Sequence, residues 1–219
     1  MDLIKISGLN LQFVENKTPE LCLLAVSKTS QALEFVPPSC QTEQVCEAAI
    51  NKSYKAIRFI HNQTENLCFQ ALRKNGNAIE YIQNPTNDMW LTAIKTTPSV
   101  IRLHPDPSDD MWLAAIASCS KYITKAPKTI DTLKAIDVNP FVITFIKNPS
   151  IDMIRKAVKI QPHLIKYINN PSEEIQLLAV GKDAKTIHYI DNPSTKVKQA
   201  AIKKSYNSIY YICPLSHND

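Results

Sequence analysis

One alanine position recurs about every 22 residues along the chain. It is occupied by Ala25, Ala49, Ala71, Ala93, Ala115, Ala135, Ala157, Ala179 and Ala201. A large aliphatic residue follows each alanine after one position and again after eight, and in six of the nine segments a proline precedes it by eight. Recurrence at such a period is typical of tandem-repeat proteins, in which each unit packs against its neighbours.

The segment after Asn170 shows the helical pattern of one repeat. Ile175, Ala179 and Val180 are spaced as on one face of a helix. Glu173 in the first turn and Lys182 in the last complement the helix dipole. The pattern therefore predicts a helix that is apolar over much of its surface and lies between neighbouring helices.

The sequence offers two N-caps for this helix and a turn at its C-terminal end. Asn170 with Glu173 three residues later fits a capping box, and Ser172 is the alternative N-cap. A break is expected at residues 181–183, and a second short helix would carry Ile187 and Ile190. Each repeat is thus predicted to be a pair of short helices joined by a turn.

The predicted fold is all-α. It is an α-solenoid of nine two-helix repeats of about 22 residues over residues 16–213, with an N-terminal capping half-repeat in residues 1–15 and a polar tail in residues 214–219. The repeat is irregular between about residues 103 and 132, where one unit is two residues short.

A leucine-rich-repeat-like solenoid is the alternative fold, because Ile187, Tyr189 and Asn192 match part of that signature. The proline that usually follows this asparagine lacks the N–H group of a regular turn, and Ser or Thr replaces the expected leucine. Both observations favour the helical hairpin.

The stretch from Ala71 to Tyr81, together with Leu178-Ala179-Val180, resembles a family of short tandem α-helical repeats of about 22 residues. This family has no known function and occurs in large DNA viruses, phages and some intracellular bacteria. The resemblance implies an α-helical repeat and a viral or phage origin. It brings no catalytic residues with it.

Composition excludes several classes of protein. No stretch approaches the ~18 consecutive apolar residues of a membrane span, and the first residues lack the pattern of a signal peptide. We therefore expect no membrane association and a cytoplasmic location, in the host cytoplasm if the source is viral.

The sequence contains no recognised catalytic motif. Cys22, Cys46 and Cys68 share one repeat position, which predicts buried thiols rather than zinc ligands. We expect no enzyme activity, catalytic residue, metal site, cofactor or small-molecule substrate. A helical-repeat glycosylase would need a carboxylate in a base-sized pocket, and no carboxylate stands out.

Basic residues recur at matching positions of the predicted second helices. They are Lys55 and Arg58, Arg102, His163 and Lys166, and Lys185 and His188. Stacked repeats would align them as a groove for phosphates or for an acidic protein segment. The alternative is an ordinary solvated helix face, because Glu34 and Glu80 interrupt the series.

Two tryptophans are the other candidates for binding. Trp90 and Trp112 occupy the repeat position of the three cysteines. If exposed, they would anchor a partner. Their place within the apolar arc favours packing in the core instead.

These features predict a non-enzymatic repeat scaffold that binds another macromolecule, foremost a protein, as a viral or phage factor acting on a host component. The alternative is a nucleic-acid-binding solenoid that uses the basic C-terminal half. The net charge is +5, and residues 126–219 contain 13 basic and 8 acidic residues against 12 and 12 in residues 1–125.

Overall fold

A computed structural model of the chain describes residues 2–212, with the backbone alone for Asp2 and Leu3. All regular structure in this range is helical, which confirms the all-α class. The leucine-rich-repeat alternative requires a strand in each repeat, and none is present among these residues. The predicted tail at residues 214–219 lies outside the described residues.

The described residues form α-helices that alternate with short 3₁₀ helices. The α-helices are α1 (Asp2–Ile6), α2 (Pro19–Lys28), α3 (Glu43–Lys52), α4 (Glu65–Lys74), α5 (Asn87–Thr96), α6 (Asp109–Ser118), α7 (Thr132–Val138), α8 (Ile151–Ile160), α9 (Glu173–Lys182), α10 (Thr195–Lys204) and α11 (Ile209–Ile212). The 3₁₀ helices are Gly8–Phe13, Ser30–Phe35, Pro38–Cys40, Tyr54–Phe59, Gly76–Tyr81, Pro98–Leu103, Ser120–Thr124, Pro140–Phe145, Pro162–Tyr167, Ala184–Tyr189 and Tyr206–Ser208. A single residue separates each of α1 to α10 from the 3₁₀ helix that follows it, so the predicted second helix of each pair is a 3₁₀ helix.

A hydroxyl side chain begins most of the α-helices. Its oxygen accepts a hydrogen bond from the backbone N–H three residues later, which satisfies one of the free N–H groups of the first turn. The residues that cap in this way are Thr18, Thr42, Thr64, Thr86, Ser108, Ser150, Ser172 and Ser194. In α9 the cap is therefore Ser172, and the predicted capping box on Asn170 is wrong.

Asn170 adopts a left-handed backbone conformation in the turn before α9 instead of capping the helix. Its φ is 49°, in the left-handed region, and Asn84 and Asn192 at the same repeat position have φ values of 52° and 49°. Asparagine is one of the few residues besides glycine that adopts this conformation readily. These residues redirect the chain from a 3₁₀ helix towards the next α-helix. That α-helix begins three residues after each asparagine.

The corner between the two helices of a repeat is one extended residue. Asp183 has φ −141° and ψ 111°, and its N–H donates to the carbonyl of Ala179. Its carboxylate accepts a hydrogen bond of 2.9 Å from the N–H of Lys185. Gly181 lies inside α9, so the predicted break at residues 181–183 narrows to a single position.

The irregular stretch contains a shortened helix. α7 has seven residues, whereas α2 to α6 and α8 to α10 have ten each. Its cap is Asp131, whose carboxylate accepts from the N–H groups of Leu133 and Lys134. This α-helix is therefore three residues shorter than the ten-residue helices, although the repeat is only two residues short.

The chain divides into two compact units, Met1–Ala115 and Ile116–Asp219. In the first unit α1 to α5 pack one on the next, and so do the 3₁₀ helices that follow them, which forms two layers. In the second unit α7 to α10 pack in the same successive way. Most of these α-helices also contact the 3₁₀ helix of the preceding repeat.

The alanine column lies at these contacts. All nine alanines are 0% exposed. At Gly76, an added Cβ would lie 2.2 Å from the carbonyl oxygen of Ala93 and 2.8 Å from Cβ of Thr97. The start of this 3₁₀ helix therefore touches the backbone of the next α-helix directly.

We predict that Gly76→Ala lowers the free energy of unfolding by about 1–3 kcal/mol, because the new methyl group overlaps the Ala93 carbonyl. Gly181→Ala is the matched control, since its Cβ would meet nothing within 4 Å and the residue is an exposed helical position. There the same change should raise the free energy of unfolding by about 0.5–1 kcal/mol. Urea denaturation measures both, and equal effects of the two substitutions would contradict the close approach.

Candidate functional site

Three of the predicted basic residues lie in the first unit. Lys55 and Arg58 are exposed on the 3₁₀ helix Tyr54–Phe59, and Arg102 is exposed on Pro98–Leu103. The guanidinium carbon of Arg58 lies 4.4 Å from the centroid of the Phe59 ring.

The four other basic residues lie together in the second unit. His163 and Lys166 are on the 3₁₀ helix Pro162–Tyr167, and Lys185 and His188 are on Ala184–Tyr189, which contacts it. Lys166, Lys185 and His188 are exposed, and His163 is half-buried. The structure thus places these residues on two adjoining helices.

A row of tyrosines that the sequence analysis did not single out lies among these basic residues. Tyr167, Tyr189 and Tyr211 are 49%, 40% and 43% exposed. The Lys166 Nζ lies 4.8 Å from the ring centroid of Tyr167 and 5.8 Å from that of Tyr189. The His188 ring lies 5.4 Å from the Tyr189 ring and 5.7 Å from the Tyr211 ring. We call these five residues the tyrosine–basic strip.

The signal for the strip is present in the sequence. An aromatic residue stands ten positions after the repeat alanine in seven of the nine repeats, next to the column that holds Lys166 and His188. Aromatic residues in a repeat are usually attributed to the core, and only the structure shows that these rings are exposed.

His163 lies beside the strip and contacts both Asp183 and Tyr189. Its Nε2 lies 3.1 Å from the Oδ2 of Asp183, and its ring lies 5.9 Å from the Tyr189 ring. The Asp183 carboxylate also accepts the N–H of Lys185. This carboxylate is therefore already engaged by the protein itself.

The equivalent face of the first unit has a different character. Its aromatic residues Phe35, Phe59 and Tyr81 are half-buried. The position before each aromatic alternates in charge there, from Glu34 to Arg58 to Glu80, and Arg102 at the same repeat position precedes Leu103. The same position in the second unit holds Thr144, Lys166, His188 and Tyr210. Only the second unit thus combines exposed rings with basic groups and no carboxylate in that column.

An open hollow lies beside the strip. Lys166 and Tyr189 form one part of its lining, and Asp191, Asn169 and Gln176 contribute a carboxylate and amide groups. The hollow therefore offers hydrogen-bonding groups of both kinds rather than an apolar enclosure.

The two tryptophans are neither fully exposed, as an anchor would be, nor fully buried in the core. Trp90 and Trp112 are both half-buried. The Trp90 ring packs edge-on against His104, with ring centroids 4.8 Å apart. Their role as an anchor for a partner stays a prediction.

The cysteine column is buried. Cys22, Cys46 and Cys68 are at most 2% exposed, and burial raises the pKa of the Cys22 and Cys46 thiols to about 11. Burial also raises the pKa of Cys68. The described residues contain no group of three or more His, Cys, Asp or Glu side chains placed to hold a metal ion. Nor does this part of the chain contain a helix with the length and apolar character needed to cross a bilayer.

No protein-family model, curated protein or solved structure matches the chain. The resemblance to short tandem repeats therefore stays an expectation drawn from the sequence.

We predict that Cys119, which is exposed, is alkylated much faster near pH 8 than Cys22, Cys46 and Cys68, whose thiols are buried. The buried thiols are protonated at this pH and closed to the reagent. A short iodoacetamide pulse followed by peptide mass spectrometry measures the four rates. A urea-unfolded sample is the control, in which all four should react alike. Rapid native alkylation of Cys46 would contradict the packing of this column.

Proposed function

We propose that the chain is a non-enzymatic α-solenoid of nine repeats that binds another macromolecule, a protein, through the 3₁₀-helix face of its second unit. The successive packing of α-helices and of 3₁₀ helices within each unit supports the solenoid. Stacked repeats present side chains from matched positions as an extended surface. In a viral or phage setting, this surface would hold a host component in the host cytoplasm.

The observation that carries the proposal is the exposure of three tyrosines in a row. Tyr167, Tyr189 and Tyr211 each leave 40% or more of their surface in contact with solvent. Contiguous exposed apolar surface with a polar rim marks interaction sites. Tyrosine suits such sites because its rigid ring gives a large contact area while losing little conformational entropy.

The shape of the surface supports a macromolecular partner rather than a small ligand. Small-molecule sites are mostly apolar concavities that enclose most of the ligand. The hollow beside the strip is open, and charged and amide side chains such as Lys166, Asp191 and Asn169 line it. A partner lying along the surface would contact the rings and the hollow together.

We predict that a photoreactive benzoylphenylalanine in place of Tyr189 crosslinks to a protein when the full chain is expressed in its source cells. The new side chain resembles tyrosine in its ring and lies on the strip. The matched control places the same residue at Lys159, which is exposed on α8. Gel shift and mass spectrometry after nuclease treatment identify the adduct. The proposal requires an adduct at position 189 that is absent at position 159, and equal labelling at both positions or none at 189 would refute it.

Nucleic-acid binding is the second candidate, and the charge of the second unit favours it. Residues 116–219 contain 15 basic and 8 acidic residues, whereas residues 1–115 contain 10 and 12. α10 alone carries Lys196, Lys198, Lys203 and Lys204 and no acidic residue. A basic surface of this kind attracts phosphates whatever their sequence.

If nucleic acid is the partner, the affinity for a labelled duplex of DNA or RNA should fall steeply between about 50 and 200 mM salt, because bound phosphates release counterions. Replacing Lys203 and Lys204 by Gln should reduce the slope of log affinity against log salt by about 1 for each lysine that contacts a phosphate. Fluorescence anisotropy measures this slope. An absence of binding at low salt would exclude the candidate.

A further inference from the structure

We infer that the tyrosine–basic strip and the adjoining Lys185 bind an extended acidic segment of a protein, with carboxylates against Lys166 and Lys185 and apolar side chains against the tyrosine rings. This inference rests on the proposed protein-binding function and specifies the chemistry of the partner.

Charge complementarity indicates an acidic partner. Lys166 and Lys185 are exposed, and neither forms an ion pair with a carboxylate of the described residues. The carboxylate of Asp183, two residues before Lys185, already contacts His163 and accepts the N–H of Lys185. Both ammonium groups are therefore available to the carboxylates of a partner.

Two other cations of the second unit already form ion pairs with carboxylates. Arg155 contacts Asp152 and Glu174, and Lys156 contacts Asp137. The pairs with Glu174 and Asp137 link neighbouring α-helices, and the hydrogen bond from Arg155 lowers the pKa of Glu174. These cations of α8 thus pair within the α-helical layer, whereas Lys166 and Lys185 have no carboxylate partner among the described residues.

The arrangement of the rings favours a polypeptide over a single-stranded nucleic acid. Stacking of bases requires open ring faces on successive aromatic residues. Here the Lys166 ammonium lies near the rings of both Tyr167 and Tyr189, and His188 fills the interval between Tyr189 and Tyr211.

The spacing of the strip suits an extended chain. Adjacent helices pack about 8–10 Å apart, so successive tyrosines recur at roughly that interval. A polyproline-type segment rises about 3.1 Å per residue, and every third side chain therefore advances by about one repeat. Such a segment would place an apolar residue against each ring and acidic residues near Lys166 and Lys185.

The test uses the full chain and a fluorescein-labelled peptide of repeated Leu-Glu-Pro triplets, which proline holds extended. Fluorescence anisotropy should show binding that weakens by about tenfold or more when Lys166→Gln and Tyr189→Ala are combined. Lys159→Gln removes the same charge from α8 and should leave the affinity unchanged. A Leu-Gln-Pro peptide should bind the unaltered chain about tenfold more weakly than its acidic counterpart.

Folding is controlled separately. Far-UV circular dichroism and the urea midpoint of each variant should match those of the unaltered chain, since Lys166 is exposed and Tyr189 lies at the surface. Lys166→Glu provides a second variant of the same site, and its like charge should weaken peptide binding further than Lys166→Gln.

Several results would overturn the inference. These are no binding of the acidic peptide, equal binding of the Leu-Gln-Pro peptide, equal loss in Lys159→Gln, or tighter binding of an oligo-dT strand than of the peptide. If the peptide fails while the Tyr189 photo-crosslink to a protein persists, only the acidic chemistry is refuted. If both fail, the proposed function falls as well.

Discussion

The fold depends on a close approach between most of the α-helices and the 3₁₀ helix of the preceding repeat. The repeat alanine permits it, because a methyl group adds little volume at a fully buried crossing. The same residue also closes its own helix, as the Ala93 carbonyl accepts the N–H of Thr97 while Gly76 packs against it. One backbone carbonyl thus ends a helix and forms the contact surface for the next element, which leaves little freedom at this position.

The 3₁₀ geometry determines which side chains reach the surface. With three residues per turn, side chains at positions i and i+3 lie almost directly above one another. Leu164 and Ile165 turn into the core, and His163 and Lys166 share the opposite face. Lys166 and His188, on two adjoining 3₁₀ helices of the second unit, therefore reach the surface on the same side, with Tyr189 near both of them.

The repeat period, the helical class and the matched basic pairs could all be predicted, since each depends on local spacing. The 3₁₀ character could not, because Ile187 and Ile190 fit either type of helix at i and i+3. Ser172 rather than Asn170 caps α9 because the turn holds Asn170 at a positive φ. Local spacing does not reveal this backbone conformation. The exposure of Tyr189 depends on packing between repeats, since Phe35, Phe59 and Tyr81 at the same position of the first unit are half-buried.

The packing of helices on their sequence neighbours also has a kinetic consequence. The closure of a chain loop costs entropy that grows with its length, and here contacts join segments about one repeat apart. Few long loops must close before stabilising contacts form, so the topology favours rapid folding. Folding can begin at any pair of adjacent repeats within a unit and extend outwards from it.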